Sequence, residues 1–281
     1  MIYIGLTGWG DHPDVYQRSS SRDKLKDYAS HFPVVELDAS FYAIQSQRNM
    51  ERWVNDTPNS FQFIVKAYQG MTGHQRGDIP FDSKEAMFQA FVQSLRPLIE
   101  SGKLGMVLFQ FPPWFDCQKA HVDYIRFCKE RLEDLPLSIE FRNQTWYSDA
   151  FRDRTVSFLQ KGDWIHSVCD EPQAGEGSIP IVPIATNNDA TLVRFHGRNV
   201  HGWTRKGNED NWREVRYLYE YNEQELLEWV HILKKIQRQS KDVYILFNNN
   251  SGGHAARNAK HLMQLLKIDY EDLASRQLDL F

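Results

Sequence analysis

Short apolar stretches rich in β-branched and aromatic residues recur along the whole chain. They are nearly continuous in hydrophobic residues, which is typical of parallel strands that are covered on both faces. The stretches are Ile2–Thr7, Val34–Ala39, Phe61–Lys66, Gly105–Gln110, Leu137–Phe141, Trp164–Cys169, Thr191–His196 and Val243–Asn248. We therefore predict eight parallel strands.

Segments with apolar residues at helical spacing lie between most of these stretches. The predicted helices are Ser21–Phe32, Ser83–Ser101, Gln118–Leu132, Ser148–Gln160, Glu223–Arg238 and His254–Lys267. Asp82 is the predicted cap of the second helix. Asn222 and Glu225, three residues apart, predict a capping box at the start of the fifth.

Strands that alternate with helices imply βα units and a parallel sheet, and eight of them favour a closed TIM-type (β/α)₈ barrel. We predict one barrel domain over residues 1–270 and a tail over residues 271–281. Glu171–Asn188 is rich in Gly, Pro and Asn, so an irregular loop should replace the helix between the sixth and seventh strands. A doubly wound open sheet is the rival fold, but no Gly-rich phosphate motif follows the first strand.

The composition narrows the class of protein. The 281 residues are 41% hydrophobic and carry a formal net charge of -4, so the whole molecule lacks the basic character of a nucleic-acid binder. Three cysteines without a CxxC pair argue against a disulfide framework or a structural zinc site. With no signal-peptide pattern and no apolar run near ~18 residues, we predict a cytoplasmic protein without a membrane span. The oligomeric state stays open.

Polar residues gather where the predicted strands end. Pairs two residues apart share a face of a strand, and in a barrel the inward face at this end forms the floor of the active site. The candidate catalytic residues are Glu36, Glu140 and His196. The candidate substrate-binding residues are Trp9, Asp38, Tyr42, Lys66, Gln110, Arg142, Asp170, Arg194, Asn248 and Asn249. Aromatic residues that follow strand ends, among them Phe41 and Trp114, predict an aromatic mouth suited to a base or a sugar ring.

Two other interpretations of the charged residues stay open. The carboxylates could simply neutralise the cationic side chains in a buried network. Glu36, Glu140, Asp170 and His196 could instead hold a divalent metal, although no ligand motif of fixed spacing singles them out. The sequence therefore names no cofactor and leaves a metal open.

Several of these segments, taken in order, resemble the uncharacterised YecE-like family, a domain of unknown function numbered seventy-two. The matching stretches are Gly5–Trp9, Val35–Tyr42, Phe63–Ala67, Gln110–Pro113, Glu140–Arg142, Arg194–Arg198 and Phe247–Asn249. The resemblance covers nearly the full length and implies a TIM barrel of bacterial origin. It implies no activity, because none is established for the family.

The last five residues resemble the short peptide by which bacterial replication and repair proteins bind the DNA polymerase sliding clamp. Gln277, Leu278, Leu280 and Phe281 would be the binding residues. A free chain end can extend and present alternating apolar side chains to a groove. We predict the sliding clamp as a partner, which would bring an acidic protein to DNA without a large basic surface.

Three functions follow from these observations. The first is an enzyme of hydrolase or lyase type on a phosphate-bearing substrate, including DNA. Lys66, Arg142 and Arg194 would hold the anion, Glu36 or Glu140 would act as the base, and His196 as the acid. The second is a small-molecule enzyme on a sugar or a carboxylate. The third is a barrel without catalysis that serves as an adaptor or binds a ligand.

Overall fold

Eight parallel strands close into a barrel in which each strand pairs with its neighbours in the chain. The computed structural model describes residues 1–16, 24–175, 178–204 and 215–275. The strands are β1 (Ile2–Thr7), β2 (Val34–Leu37), β3 (Gln62–Lys66), β4 (Leu104–Gln110), β5 (Leu137–Glu140), β6 (Ile165–Asp170), β7 (Ala190–Phe195) and β8 (Asp242–Phe247). β1 pairs with both β2 and β8, which closes the ring. The predicted TIM-type barrel is confirmed.

Helices surround the barrel. They span Lys24–Ala29, Ala39–Tyr42, Gln47–Asn55, Gln69–Thr72, Lys84–Glu100, Lys119–Arg131, Arg152–Lys161, Val200–Thr204, Glu223–Ile236 and His254–Leu266. Short 3₁₀ turns span Pro13–Val15, Gln144–Tyr147 and Ser251–Gly253. Each of the six predicted helices overlaps one of these, with ends shifted by a few residues. Helix Gln47–Asn55 was not predicted, because Met50, Trp53 and Val54 are the only apolar residues of this segment.

Local signals at the helix ends are partly confirmed. Asn222 and Glu225 form the predicted capping box. The predicted cap Asp82 is wrong: the next residue, Ser83, accepts a hydrogen bond from the backbone N–H of Ala86 at 3.0 Å. A serine hydroxyl there satisfies an N–H that lacks a partner within the helix. The irregular loop is also confirmed, since described residues 178–189 form neither helix nor strand.

Side chains inside the barrel form layers. The lower part of the interior is apolar and contains Val34, Ile64, Met106, Leu108, Ile165, Ala190, Leu192, Tyr244 and Leu246. Two residues further along several strands, the same inward face becomes polar, as at Glu36 after Val34 and Arg194 after Leu192. A strand alternates its faces, so these polar residues must lie above the apolar layers at the carboxyl ends of the strands.

The C-terminal segment returns to the amino end of the barrel. The hydroxyl of Tyr270 accepts the N–H of Ile4 at 2.9 Å and donates to the carbonyl of Ile2 at 3.1 Å. The N–H of Ala274 donates to the carbonyl of Ala29 at 3.0 Å. The predicted clamp-binding residues Gln277, Leu278, Leu280 and Phe281 lie outside the described residues. No helix in the described ranges has the length and apolar character to cross a membrane.

Candidate active site

Carboxylate and guanidinium groups alternate across the carboxyl ends of four strands. Arg194 donates to Glu36 through Nε at 2.9 Å and Nη2 at 2.6 Å, and to Glu140 through Nη1 at 2.6 Å. Arg142 binds Glu140 at 2.6 Å and Glu171 at 2.7 Å. All five side chains are buried. We call Glu36, Arg194, Glu140, Arg142 and Glu171 the charged chain.

Glu140 is the centre of the charged chain. Besides the two arginines, the amide of Gln110 donates to its Oε1 at 2.7 Å and the hydroxyl of Ser167 donates to its Oε2 at 3.2 Å. Burial would raise the pKa of Glu140, but the guanidinium groups of Arg142 and Arg194 together lower it well below its usual range. Glu140 is therefore an ionised group whose acceptor sites are occupied.

The carboxylates at the two ends of the charged chain have raised pKa values, in contrast to Glu140 at its centre. Burial raises the pKa of Glu36 to about 7, although Arg194 opposes the shift. Burial likewise raises the pKa of Glu171 to about 7, against Arg142 and the backbone N–H of Ile179, which donates to Oε1 at 2.7 Å. Among the ion pairs given for the described residues, Glu36 binds Arg194 and Glu171 binds Arg142, whereas Glu140 binds both arginines. Near neutral pH a proton can therefore occupy either end of the charged chain.

His196 lies beside the charged chain and is fully buried. Its Nε2 is 3.0 Å from Nη2 of Arg142, and its Nδ1 is 2.9 Å from the side-chain amide of Asn248. Burial and the positive charge of Arg142 lower the pKa of His196 well below its usual range. The imidazole is thus neutral and accessible only through movement of its neighbours.

A more open set of charged groups lies on the β2 and β3 side of the mouth. The ammonium of Lys66 is 3.2 Å from Oδ1 of Asp38, and their side chains are 12% and 36% exposed. The same ammonium lies 4.7 Å from the centre of the Phe41 ring. Close by is His74, whose pKa is lowered to about 4 by burial and by the charges of Lys66 and Arg142.

Aromatic side chains border this open side. Ring centres are 5.2 Å apart between Phe41 and Tyr42, 5.1 Å between Phe41 and His74, and 5.9 Å between His74 and Trp114. Tyr42 is 55% exposed and Trp114 is 58% exposed. We call these four residues the aromatic wall. Two large exposed rings joined by two partly buried ones form a candidate surface for a ligand.

Comparison with known proteins assigns the chain to a family. A family model described as "Protein of unknown function DUF72" matches residues 3–279. The chain belongs to this family. It is 63% identical over 282 residues to the UPF0759 protein YunF of Bacillus subtilis (strain 168), with 100% of both chains covered. It is 23% identical over 244 residues to the UPF0759 protein YecE of Escherichia coli (strain K12), with 82% of each covered.

Solved structures of the DUF72 family share the fold. One from Enterococcus faecalis V583 matches with a TM-score of 0.92 at 38% identity, covering 99% of this chain and 100% of the other. Another from Thermotoga maritima MSB8 matches with a TM-score of 0.81 at 30% identity, covering 95% and 100%. The family resemblance predicted from the sequence is confirmed.

Two of the predicted site residues point away from the mouth. Asp170 accepts from the indole N–H of Trp229 at 2.5 Å and from Arg198 at 2.8 Å. Asn249 donates to the carbonyl of Tyr219 at 2.8 Å and to Asn258 at 2.9 Å. Both residues follow an inward-facing neighbour by one position, so alternation turns them toward the surrounding helices. The aromatic candidate Trp9 packs on Trp53, with ring centres 5.3 Å apart.

The predicted metal set is therefore not assembled, because Asp170 lies on the opposite face of β6. In the described residues, ligand atoms of Glu140, Cys169 and His196 lie within 4.8 Å of one another. This set suits a cation poorly. Both oxygens of Glu140 bind guanidinium groups, and burial raises the pKa of the Cys169 thiol well above its usual range. A cation here would have to displace both arginines.

Sequence reasoning missed three members of the site. Glu171 was assigned to the irregular loop, and its pairing with Arg142 joins segments that no spacing relates. Ser167 lies within β6 and carries no charge pattern. His74 lies in the loop after helix Gln69–Thr72 and was not among the predicted site residues. The signal that identifies it is the pair of rings on either side, and those rings come from different loops.

Proposed function

We propose that the protein is an enzyme that acts on a small, ring-bearing polar molecule at the open mouth of the barrel. The observation that carries this proposal is the pairing of Arg142 and Arg194 with Glu36, Glu140 and Glu171. Guanidinium groups already bound by carboxylates cannot also serve as the main anchor of a phosphate. This pairing favours the small-molecule alternative over the first hypothesis from the sequence, a phosphate-bearing substrate, DNA included, that Arg142 and Arg194 help to hold.

The accessible groups suit a sugar-like substrate. The aromatic wall offers ring faces and edges for stacking, and the partly exposed amides of Gln110 and Asn248 offer donors and acceptors for hydroxyl groups. Lys66 and Asp38 add a charged pair within reach of solvent. An aromatic surface beside a few convergent polar groups is the usual composition of a small-molecule site.

In this proposal Asp38 and Lys66, the pair nearest to solvent, carry out proton transfer. Asp38 would accept a proton from a substrate hydroxyl, and the ammonium of Lys66 would stabilise the negative charge that develops on the neighbouring oxygen. The charged chain would act as a rigid floor that holds β2, β5 and β7 in register. Glu36, Glu140 and His196 would then support the site instead of reacting with the substrate.

The test is a turnover screen of purified protein against neutral and acidic monosaccharides and disaccharides, followed by proton NMR. We expect Asp38→Asn and Lys66→Met to reduce the rate of any detected reaction by 10²-fold or more, the usual range for acid–base groups. Lys235→Met, an exposed change of the same kind on helix Glu223–Ile236, should keep the full rate. Full activity in both mouth variants would overturn the proposal, and a barrel with no turnover would favour the adaptor function.

A second candidate function rests on the tail sequence Gln277–Phe281. Agreement of these residues with the clamp-binding peptide supports recruitment to the sliding clamp and a substrate in DNA. The test compares the full-length chain with one that ends at Ser275 in binding to the purified clamp of the host. Binding that requires the tail would support this function. Equal behaviour of the two proteins would remove it.

A further inference from the structure

The open side of the mouth contains a cationic corner beside the aromatic wall. Lys66 makes one ion pair in the described part of the chain, to Asp38, and an ammonium has three donors. Asp38 is partly exposed, so solvent weakens its attraction for Lys66. An incoming anion can therefore share the ammonium of Lys66 with Asp38 or replace it at little cost.

The pKa of His74 responds to the positive charges around this corner. Its ring is held from two sides, by the edge contacts with Phe41 and Trp114 and by Thr72, whose Oγ1 is 2.8 Å from Nδ1. No described group hydrogen-bonds to its Nε2. The positive charges of Lys66 and Arg142 help lower the pKa of His74. Lys66 and Arg142 thus both act on His74, and no carboxylate in the described ranges forms an ion pair with its ring.

We infer that the ligand of this mouth carries one anionic group, which binds in the corner between Lys66 and His74, while its ring lies against Trp114 and Tyr42. The ligand class is a sugar-like or aromatic ring that bears a carboxylate or a phosphate monoester. Lys66 supplies the anchoring charge, because the arginines below it are engaged in the charged chain. This inference deepens the proposed function and rests on it for the location of the substrate.

Two sets of contacts join the cationic corner and the aromatic wall into a single site. The Lys66 ammonium lies 4.7 Å from the centre of the Phe41 ring, so the corner adjoins the aromatic wall directly. Phe41 and His74 connect that point to the two exposed rings, Tyr42 and Trp114. A ring stacked there would place a substituent near Lys66 without entering the buried charged chain.

The experiment measures binding and needs no turnover. Glucose, glucose 6-phosphate, glucuronate, inorganic phosphate and acetate are titrated into full-length protein while the imidazole signals of His74 are followed by NMR. We expect glucose 6-phosphate or glucuronate to bind at least ten-fold more tightly than glucose. At saturation the pKa of His74 should rise from about 4, because the bound anion offsets the positive field. Comparing the phosphate and carboxylate probes distinguishes the two sources of charge.

Variants separate the two halves of the site. Lys66→Met keeps the apolar stem against Phe41 and should abolish the advantage of the anionic sugars. Trp114→Ala should weaken every sugar probe and leave inorganic phosphate unchanged, whereas Lys235→Met should match the parent chain. If glucose and its anionic derivatives bind equally, or if Lys66→Met keeps their difference, the inference falls. If the protein turns over neutral sugars and an anionic group brings no gain, the proposed function stands and this inference fails. If anionic sugars bind tightly and no turnover occurs, this inference stands and the proposed function fails.

Discussion

At the scale of single residues, Glu140 explains why charge can be buried so deeply in this barrel. Its two oxygens accept from Arg142, Arg194, Gln110 and Ser167, so each bond offsets part of the cost of removing the carboxylate from water. The same arrangement leaves Glu140 with no acceptor site for a substrate proton. From this dense pairing we infer a structural role for Glu140, although it lies where barrel enzymes place their catalytic residues.

Replacing Glu140 tests this role. Glu140→Gln removes the charge between two buried guanidinium groups and places an N–H₂ against them, so we expect a loss of about 3–5 kcal/mol in the free energy of unfolding. Urea denaturation followed by circular dichroism measures it. Asp38→Asn is the matched control, and it should change the stability by less than about 1 kcal/mol because its ion pair is partly exposed. Equal effects of the two variants would contradict the structural role.

The raised pKa of Glu36 predicts a pH dependence with a defined sign. The folded state holds this proton up to about pH 7, whereas the unfolded state releases it near pH 4.5. The stability from protonated Glu36 is therefore present below pH 4.5 and is lost as the pH rises through 7. Between pH 4.5 and 7, the free energy of unfolding of Glu36→Gln should increase relative to that of the wild type by on the order of 3 kcal/mol. Unfolding free energies at a series of pH values provide the comparison, and a constant difference would contradict the raised pKa.

At the scale of elements, the apolar runs predicted all eight strands, because a parallel strand that is buried on both faces is apolar along nearly its whole length. His166 and Asp170, four residues apart in β6, share a face, as the alternation of a strand requires. The sequence could not say which face is inside: both residues point to the helices, where His166 meets Tyr147 at 2.9 Å and Asp170 meets Trp229. Inward and outward faces of a buried strand are equally apolar, so the pattern holds no information on direction.

The sequence identified most members of the charged chain, but it did not decide whether their charges neutralise one another. Glu36, Glu140, Arg142 and Arg194 were all identified, and the structure brings them together. Their mutual neutralisation depends on contacts between distant segments. Residue spacing along one chain cannot supply those contacts.

A buried lysine connects two elements in a way that can be tested. The ammonium of Lys103 donates to the carbonyls of Val54 and Thr57 at 2.7 Å each, at the end of helix Gln47–Asn55. Lys103→Met would leave both acceptors without this donor, so we expect a loss of roughly 1–3 kcal/mol. Thermal and urea unfolding measure the change. Lys234→Met, an exposed lysine change elsewhere, should be near neutral, and a similar result for Lys103→Met would show that water replaces the ammonium.

At the scale of the whole molecule, the segment after helix His254–Leu266 bonds back to the amino end of the barrel. Tyr270 bonds to the backbone of β1, and Ala274 bonds to Ala29. These contacts tie the C-terminal segment across the amino end of the barrel, opposite the candidate active site. Residues 267–275 should therefore contribute to stability although they form no helix or strand of their own.

Two truncations separate this segment from the tail beyond it. A chain ending at Leu266 loses the Tyr270 bonds to Ile2 and Ile4, and we expect it to lose on the order of 2 kcal/mol or more. A chain ending at Ser275 keeps these bonds and should unfold like the full-length protein. Melting curves of the three proteins measure both effects. Equal stability after both truncations would show that the segment is dispensable.

The charged chain also bears on the order in which the barrel forms. Glu36 and Glu140 pair with Arg194, which lies 158 and 54 residues further along the chain, so these ion pairs cannot form until β7 is in place. Until β7 docks, a partly closed sheet would have to hold these carboxylates in an apolar interior without their cation, so we infer that barrel closure comes late and is cooperative. Pulse-labelled hydrogen exchange should then show the amides of β2 and β5 gaining protection together with those of β7. Earlier protection of the first strands would mean that water accompanies the carboxylates until the ring closes.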